Sequence, residues 1–252
     1  MKVIFMGKNK RSSCMALEYL LRNNIEVVYA IIPNEENEIS KICKHNNIRI
    51  ISDNKLYELI EKNDETIKNI DLVLSFLYWK KIKKPIIELS KKGCINFHPA
   101  PLPEYRGVGG YNFAILDSLD YWGVSAHYVD ETIDTGKIIK IKKFSIDKEN
   151  INAIELEQIS QLELLELFKE IIESFLKNKI IYSRVQGEGK YINKELLEKT
   201  KKITINDKKN EIDKKIRAFW FPPYNGAYIE IDGKKYTLIN DEMLKKIVKE
   251  KA

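Results

Sequence analysis

Cysteine is scarce in this 252-residue chain, and arginine is scarcer than its charge suggests. Cys14, Cys43 and Cys94 stand far apart, odd in number and without a CxxC pair. That pattern excludes a disulfide framework, gives no metal-ligand cluster, and points to a reducing compartment. Arginine is confined to Arg11, Arg22, Arg49, Arg106, Arg184 and Arg217, so the formal net charge of +6 is mostly lysine scattered through acidic sequence. No arginine-rich face awaits a phosphate backbone, so nucleic acid is not expected as a partner; a modest attraction for an anionic substrate is compatible with the charge. No apolar run approaches the length of a membrane span, and no secretory signal precedes the first strand. A soluble, cytoplasmic protein is expected. A GxGxxG fingerprint, an internal repeat and a low-complexity linker are all missing, and the first of these absences argues against a bound dinucleotide.

What is present is ordinary globular material, 44% hydrophobic and 32% charged, in a chain long enough for one full core with an appendage. Lys2 to Met6 reads as a buried strand. Gly7 follows, then a helix to about Arg22 that Ser12 or Ser13 is expected to cap. Strands over Glu26 to Ile32, Arg49 to Ile51 and Asp71 to Phe76 alternate with helical stretches near Glu35 to His45 and Leu56 to Glu61. Alternation of this kind predicts a parallel sheet covered on both faces, with ligands gathered at the carboxyl ends of its strands. Gly123 to Asp130 and Lys137 to Ile146 predict an antiparallel hairpin at one sheet edge, a possible dimer edge. Near-helical apolar spacing from Asn152 to about Lys177 predicts a long amphipathic helix, more readily packed along the sheet than against a partner. Beyond Ser183 the character changes. Lys190 to Ile192 suits a brief strand, Asp207 to Phe219 a helix capped by Asn206 or Asp207, and Asp232-Gly233 the turn of a hairpin.

The chemistry concentrates between Gly93 and Gly136. Cys94 to Phe97 has β character, so Asn96 and His98 project to the same side of an extended chain. Pro99, Pro101 and Pro103 keep the following segment extended and stiff. An amide that can donate to a developing oxyanion beside an imidazole that can move protons is what acyl transfer requires. Asp134, in the turn before Gly136, is the natural third member. Gly109-Gly110, before a short helix from Tyr111 to Leu116, reads first as turn chemistry and second as a place for a phosphate or amine substrate. His127 reads as a structural histidine, and His45 as a surface one.

Asn96-Phe97-His98-Pro99, Leu102-Pro103-Glu104-Tyr105-Arg106-Gly107, Gly123-Val124-Ser125 and Asp134-Thr135-Gly136 together resemble the folate-dependent formyltransferase family. Its members include methionyl-tRNA formyltransferase, glycinamide ribonucleotide formyltransferase and the nucleotide-sugar N-formyltransferases. The family's catalytic Asn, His and Asp fall on Asn96, His98 and Asp134; the serine usual after His-Pro is Ala100 here. The resemblance implies a Rossmann-like formyltransferase fold, α/β with a mixed, mostly parallel central sheet, over residues 1–182, and a small C-terminal α+β subdomain over 183–252. It also implies 10-formyltetrahydrofolate as formyl donor. Phe76, Leu77, Tyr78 and Ile82, with Asp130 and Asp134, would hold its pteridine, although Phe76, Tyr78 and Trp79 would equally serve as packing under a loop.

The tail pattern Arg217-Ala218-Phe219, Pro222-Pro223 and Gly226-Ala227 resembles that of the sugar N-formyltransferases, and the residues left after the long helix are few for the barrel of a tRNA enzyme. The acceptor expected is therefore a nucleotide-linked amino sugar destined for surface polysaccharide. Arg106, Gly107 and Asn225 would contact its diphosphate or sugar, and Trp220, Phe221 and Tyr224 would stack on its base or else form a satellite core. A transfer enzyme with a different amine acceptor, or a non-catalytic folate or nucleotide sensor, is the alternative.

Overall fold

A computed structural model describes residues 1–33 and 35–250, the last five as backbone. In chain order the elements are β1 (Lys2–Gly7), α1 (Arg11–Arg22), β2 (Glu26–Ile31), α2 (Glu38–His45), β3 (Arg49–Ile50), α3 (Asp53–Glu61), β4 (Leu72–Phe76), β5 (Cys94–His98), β6 (Tyr105–Gly107), α4 (Gly110–Leu116), β7 (Tyr121–Tyr128), β8 (Ile138–Ser145) and α5 (Ala153–Leu176). The tail adds β9 (Lys190–Ile192), α6 (Lys194–Thr200), α7 (Lys209–Phe219), β10 (Tyr228–Ile231), β11 (Lys234–Thr237) and α8 (Asp241–Glu250). Seven strands form one sheet in the order β3-β2-β1-β4-β5-β7-β8. The first five run parallel, and β7 and β8 return antiparallel at the edge, as the alternation predicted.

Strand parity divides the core into two layers. Val3 and Phe5 of β1, Leu72, Leu74 and Phe76 of β4, Ile95 and Phe97 of β5, and Val124 and Ala126 of β7 face one side, where α1 and α5 cover them. Phe168 of α5 is the hub there, with ring centroids 5.5 Å from Phe76 and 4.8 Å from Phe97. Ile4, Met6, Val73 and Cys94 face the other side, against Leu56 of α3. Burial pushes the Cys14 and Cys43 thiols up to about 11, so these cysteines pack rather than react.

α5 starts as its sequence announces: Asn152 accepts from the amides of Ile154 and Glu155, and the Glu155 carboxylate accepts from the Asn152 amide. Two expected caps are not used. Ser12 and Ser13 lie inside the first turn of α1, both buried, and the Ser12 hydroxyl donates to Gln161 of α5 at 2.8 Å. The demand of packing α1 on α5 outweighs a local cap. α7 begins after Lys208, whose amide donates to Glu211, while Asp207 accepts from Lys215 and from the Thr204 amide instead of closing the helix. α6 and α8 were not expected from the sequence.

The tail does not stand apart from the sheet. A second core joins Trp122, Ile115 and Leu156 to Ile216, Phe219, Ala227 and Met243. Arg217, also buried, donates to the carbonyls of Lys148 and Ile151 ahead of α5. Among the described residues no helix is long and apolar enough to cross a membrane.

Candidate active site

The same parity that sends Ile95 and Phe97 into the core sends Asn96 and His98 to the opposite face. The register then places Ser75 beside Asn96, Asn96 beside His127, and His98 beside Ser125. Each contact follows from those neighbours. The Ser75 hydroxyl donates to the Asn96 carboxamide oxygen at 2.7 Å, which turns the amide nitrogen toward His127. His127 uses its Nδ1–H on the Tyr128 carbonyl at 2.7 Å, so its Nε2 lone pair receives one Asn96 N–H at 3.1 Å. Among the described residues the second Asn96 N–H has no partner, so it can donate to a ligand. The Ser125 hydroxyl donates to the Ala100 carbonyl and accepts from the Leu102 amide, pinning the proline segment.

His98 donates Nε2–H to the Tyr105 carbonyl at 2.9 Å, leaving Nδ1 to face Asp134 Oδ2 at 3.6 Å. Asp134 Oδ1 lies 3.7 Å from His127 Nε2. Asp134 sits in the turn between β7 and β8 at φ 57°, a left-handed conformation a non-glycine residue rarely holds without support. Two hydrogen bonds support it: its Oδ2 accepts from the Gly107 amide at 3.0 Å, and its backbone carbonyl accepts from Gln186 Nε2 at 3.0 Å.

Burial alone would raise the Asp134 pKa, but the neighbouring His98 and His127 imidazoles and the hydrogen bond from the Gly107 amide outweigh it and hold the carboxyl well below the usual range. A folded-state pKa below the unfolded one means that the stabilisation is complete above the ordinary aspartate value of about 3.9. It is lost as pH falls toward the folded value. Urea unfolding between pH 3 and 6 should therefore show wild type losing stability on acidification more steeply than Asp134→Asn. Parallel curves would remove Asp134 as a coupled carboxylate.

Gln186 belongs to the tail and was missed by the sequence reading. It donates to the Asp134 and Gly136 carbonyls at 3.0 and 2.7 Å, while its oxygen accepts from Arg106 Nε and Nη2 at 3.2 and 2.9 Å. It is a strut between the Asp134 turn and β6. Gln186→Leu should lower kcat roughly tenfold, since small displacements of positioned groups are costly, without changing folate affinity in a calorimeter. An unchanged kcat would show that the turn holds itself.

These residues open on a cleft of about 400 Å³ at the carboxyl ends of β4 and β5, within the range of small-molecule sites. Leu77, Tyr78 and Ile82 line it, as expected, together with Trp79, Asp130 and Asp134. Leu77 is strained as well, at φ 56°. Asp130 spends Oδ1 on Thr132 and Thr135, bracing the turn. Phe76 requires correction: it is fully buried under α5 and does not reach the cleft. Arg106 does not line the cleft, and it commits Nε and Nη2 to Gln186 and the Gly187 carbonyl. Gly107 lines the cleft, but Trp220, Phe221, Tyr224 and Asn225 do not. Trp220 and Phe221 pack against the second core, Phe221 with its ring centroid 5.9 Å from that of Tyr224, so a satellite core describes them better than a base-stacking wall. Ser75 and His127 are the other residues missed; the alternation of Val124 and Ala126 was the available signal for His127.

The formyl transferase family model matches residues 1–171. The chain belongs to that family. It is similar to the methionyl-tRNA formyltransferase of Ehrlichia canis, 27% identical over 95% of this chain and 80% of the relative. It is also similar to the GDP-perosamine N-formyltransferase of Brucella melitensis, 32% identical over 66% of this chain and 63% of the relative. Among solved structures, a 4-N formyltransferase from Francisella tularensis shares the fold with a TM-score of 0.78, at 23% identity over 95% of this chain and 96% of that one. WlaRD, a sugar 3N-formyl transferase solved with dTDP and 5-N-formyl-THF, superposes with a TM-score of 0.74 at 27% identity, over 93% and 84% of the two chains.

This formyltransferase is thus a folate-dependent enzyme of the N-formyl-transferring type, with 10-formyltetrahydrofolate as the family's donor. The cleft suits a flat heterocycle: Leu77, Tyr78, Ile82 and Val129 give apolar walls, and the amide, imidazole and carboxylate meet at its floor. When bound, the donor supplies an electrophilic one-carbon acyl group carried on nitrogen.

Proposed function

We propose that the protein formylates the amine of a nucleotide-diphosphate-linked amino sugar. The observation that carries the reading is the tail. Its α6, α7, hairpin and α8 pack onto the rest of the chain through a common core, and likeness to a sugar 3N-formyl transferase extends over 93% of the chain. The 32% identity to a GDP-perosamine enzyme points the same way. A role in surface polysaccharide assembly, in the cytoplasm, would follow from such an acceptor. The similarity to methionyl-tRNA formyltransferase keeps a second acceptor in play, aminoacylated tRNA.

In this reading the spare Asn96 N–H donates to the oxygen that gains charge as the amine adds to the formyl carbon. His98 Nδ1 takes the proton lost by the amine and returns it to the departing nitrogen. Asp134, kept ionised, faces Nδ1 and orients the ring between those two transfers. Leu77, Tyr78, Ile82 and Asp130 hold the pteridine, and Gly107 stands on the acceptor side.

The test is tetrahydrofolate release from 10-formyltetrahydrofolate with GDP-perosamine, dTDP-3-aminofucose and methionyl-tRNA as separate acceptors. Turnover with a sugar supports the proposal. Turnover with methionyl-tRNA alone transfers the assignment to the second acceptor, and folate binding without any transfer favours a sensor.

A further inference from the structure

We propose that Tyr191 forms the acceptor wall of the active site, a platform on which the apolar face of the amino sugar's ring packs; this rests on the sugar reading above. Tyr191 lies on β9, which pairs in parallel with β6 just beyond the catalytic strand. Among the described residues of the tail it is the one that lines the cleft. Its ring crosses the backbone of Gly107 so closely that a Cβ added there would stand 2.9 Å from Tyr191 Cε2. The Gly107 amide is the group that donates to Asp134, so the aromatic face begins one residue from the catalytic carboxylate.

Folding gives little reason for an aromatic ring at this place. Tyr191 is 52% exposed, and among the described residues its hydroxyl has no hydrogen-bond partner. Val108 and Ile133, 39% and 42% exposed, line the same cleft. Beside Trp79 on the pteridine side, 46% exposed, these three large apolar side chains left in water around one cavity mark a surface kept for a ligand. The donor does not need them, since Leu77, Tyr78 and Ile82 wall the pteridine side. A deoxygenated pyranose presents a C–H-rich face to an aromatic plane and points its exocyclic amine sideways. Packed on Tyr191, that amine comes to the side of the cleft where Asp134 and His98 wait. Trp220, Phe221 and Tyr224, the aromatics that the sequence singled out, do not line the cleft.

The experiment compares wild type with Tyr191→Ala, Tyr191→Leu and Tyr191→Phe, using GDP-perosamine and dTDP-3-aminofucose as acceptors and 5-formyltetrahydrofolate binding by calorimetry as the donor readout. Tyr191→Ala should raise the acceptor KM roughly tenfold, with kcat and folate Kd within about twofold of wild type. Tyr191→Phe keeps the ring face and should match wild type, and Tyr191→Leu should fall between. An unchanged acceptor KM in Tyr191→Ala, or weakened folate binding with the acceptor KM unmoved, overturns the platform while leaving the sugar reading intact. Turnover of neither sugar by wild type removes both together.

Discussion

Asn96→Ala should leave the fold in place and lower kcat by roughly 10²–10³, the usual cost of one oxyanion donor. Two hydrogen bonds make the loss specific. The Ser75 hydroxyl holds the carboxamide oxygen and His127 Nε2 holds one amide hydrogen, so the amide cannot turn and its other hydrogen has a single direction. Alanine removes the donor and leaves the Ser75 hydroxyl and His127 Nε2 without their partner. The associated stability cost is about 1–3 kcal/mol, so the melting temperature should fall by only a few degrees. Asn96→Asp keeps the shape, cannot donate when ionised, and should be nearly as slow. Single-turnover rates with saturating folate separate this from a binding defect. A variant that still transfers formyl groups at the wild-type rate would take Asn96 out of the reaction.

Gly136→Ala should be comparably damaging by a route that is wholly geometric. A Cβ at this position would lie 1.8 Å from the Tyr128 carbonyl oxygen and 2.8 Å from its carbon. Both are backbone atoms, and neither side can yield by rotating a side chain. The strain is local to the hairpin: the Tyr128 amide donates to Lys137, and the Gly136 carbonyl accepts from Gln186. Making room therefore pushes the turn outward, and Asp134 moves with it, away from His98 and from the Gly107 amide. A shift of about 1 Å at a positioned group costs on the order of 10² in rate, and overpacking of this kind costs about 1–3 kcal/mol of stability. The expected result is a kcat lower by roughly 10² with a Tm lower by about 5 °C. If the melting temperature falls while kcat holds, the turn is a support and not a register for the carboxylate.

Individual residues show how much of the fold is legible in the sequence. Cys94 to His98 spells its own geometry, because alternation in a strand separates Ile95 and Phe97 from Asn96 and His98 whatever surrounds them. Asp232 and Gly233 likewise fix a hairpin, both at positive φ, 48° and 76°. Phe76 was misplaced for a related reason. β4 is buried on both faces, so Asp71 to Phe76 has no polar residue in every second place to say which face is which. Only the pairing of Ser75 with Asn96 reveals that Phe76 must point the other way.

Arg106 and the aromatics of the tail mark the other limit. A guanidinium beside a catalytic segment invites an anion, yet its partner is Gln186, 80 residues on, and nothing near Arg106 in sequence announces it. Trp220 and Phe221 carry the same composition whether they meet a base or a core, and the second core claims them. Tyr191, in a three-residue strand with no periodicity of its own, acquires a place at the cleft only because β9 lies along β6. The amino-acid order by itself determined the strands of the sheet and its covering helices, the faces of the half-buried strands and, through the family pattern, the candidate amide, imidazole and carboxylate. The tertiary structure alone decided which side chains from distant segments spend their polar groups on one another and which are left facing a ligand. The physical reason is that backbone periodicity is a local property, whereas a hydrogen bond or a buried contact is settled by whichever partner packing brings within reach.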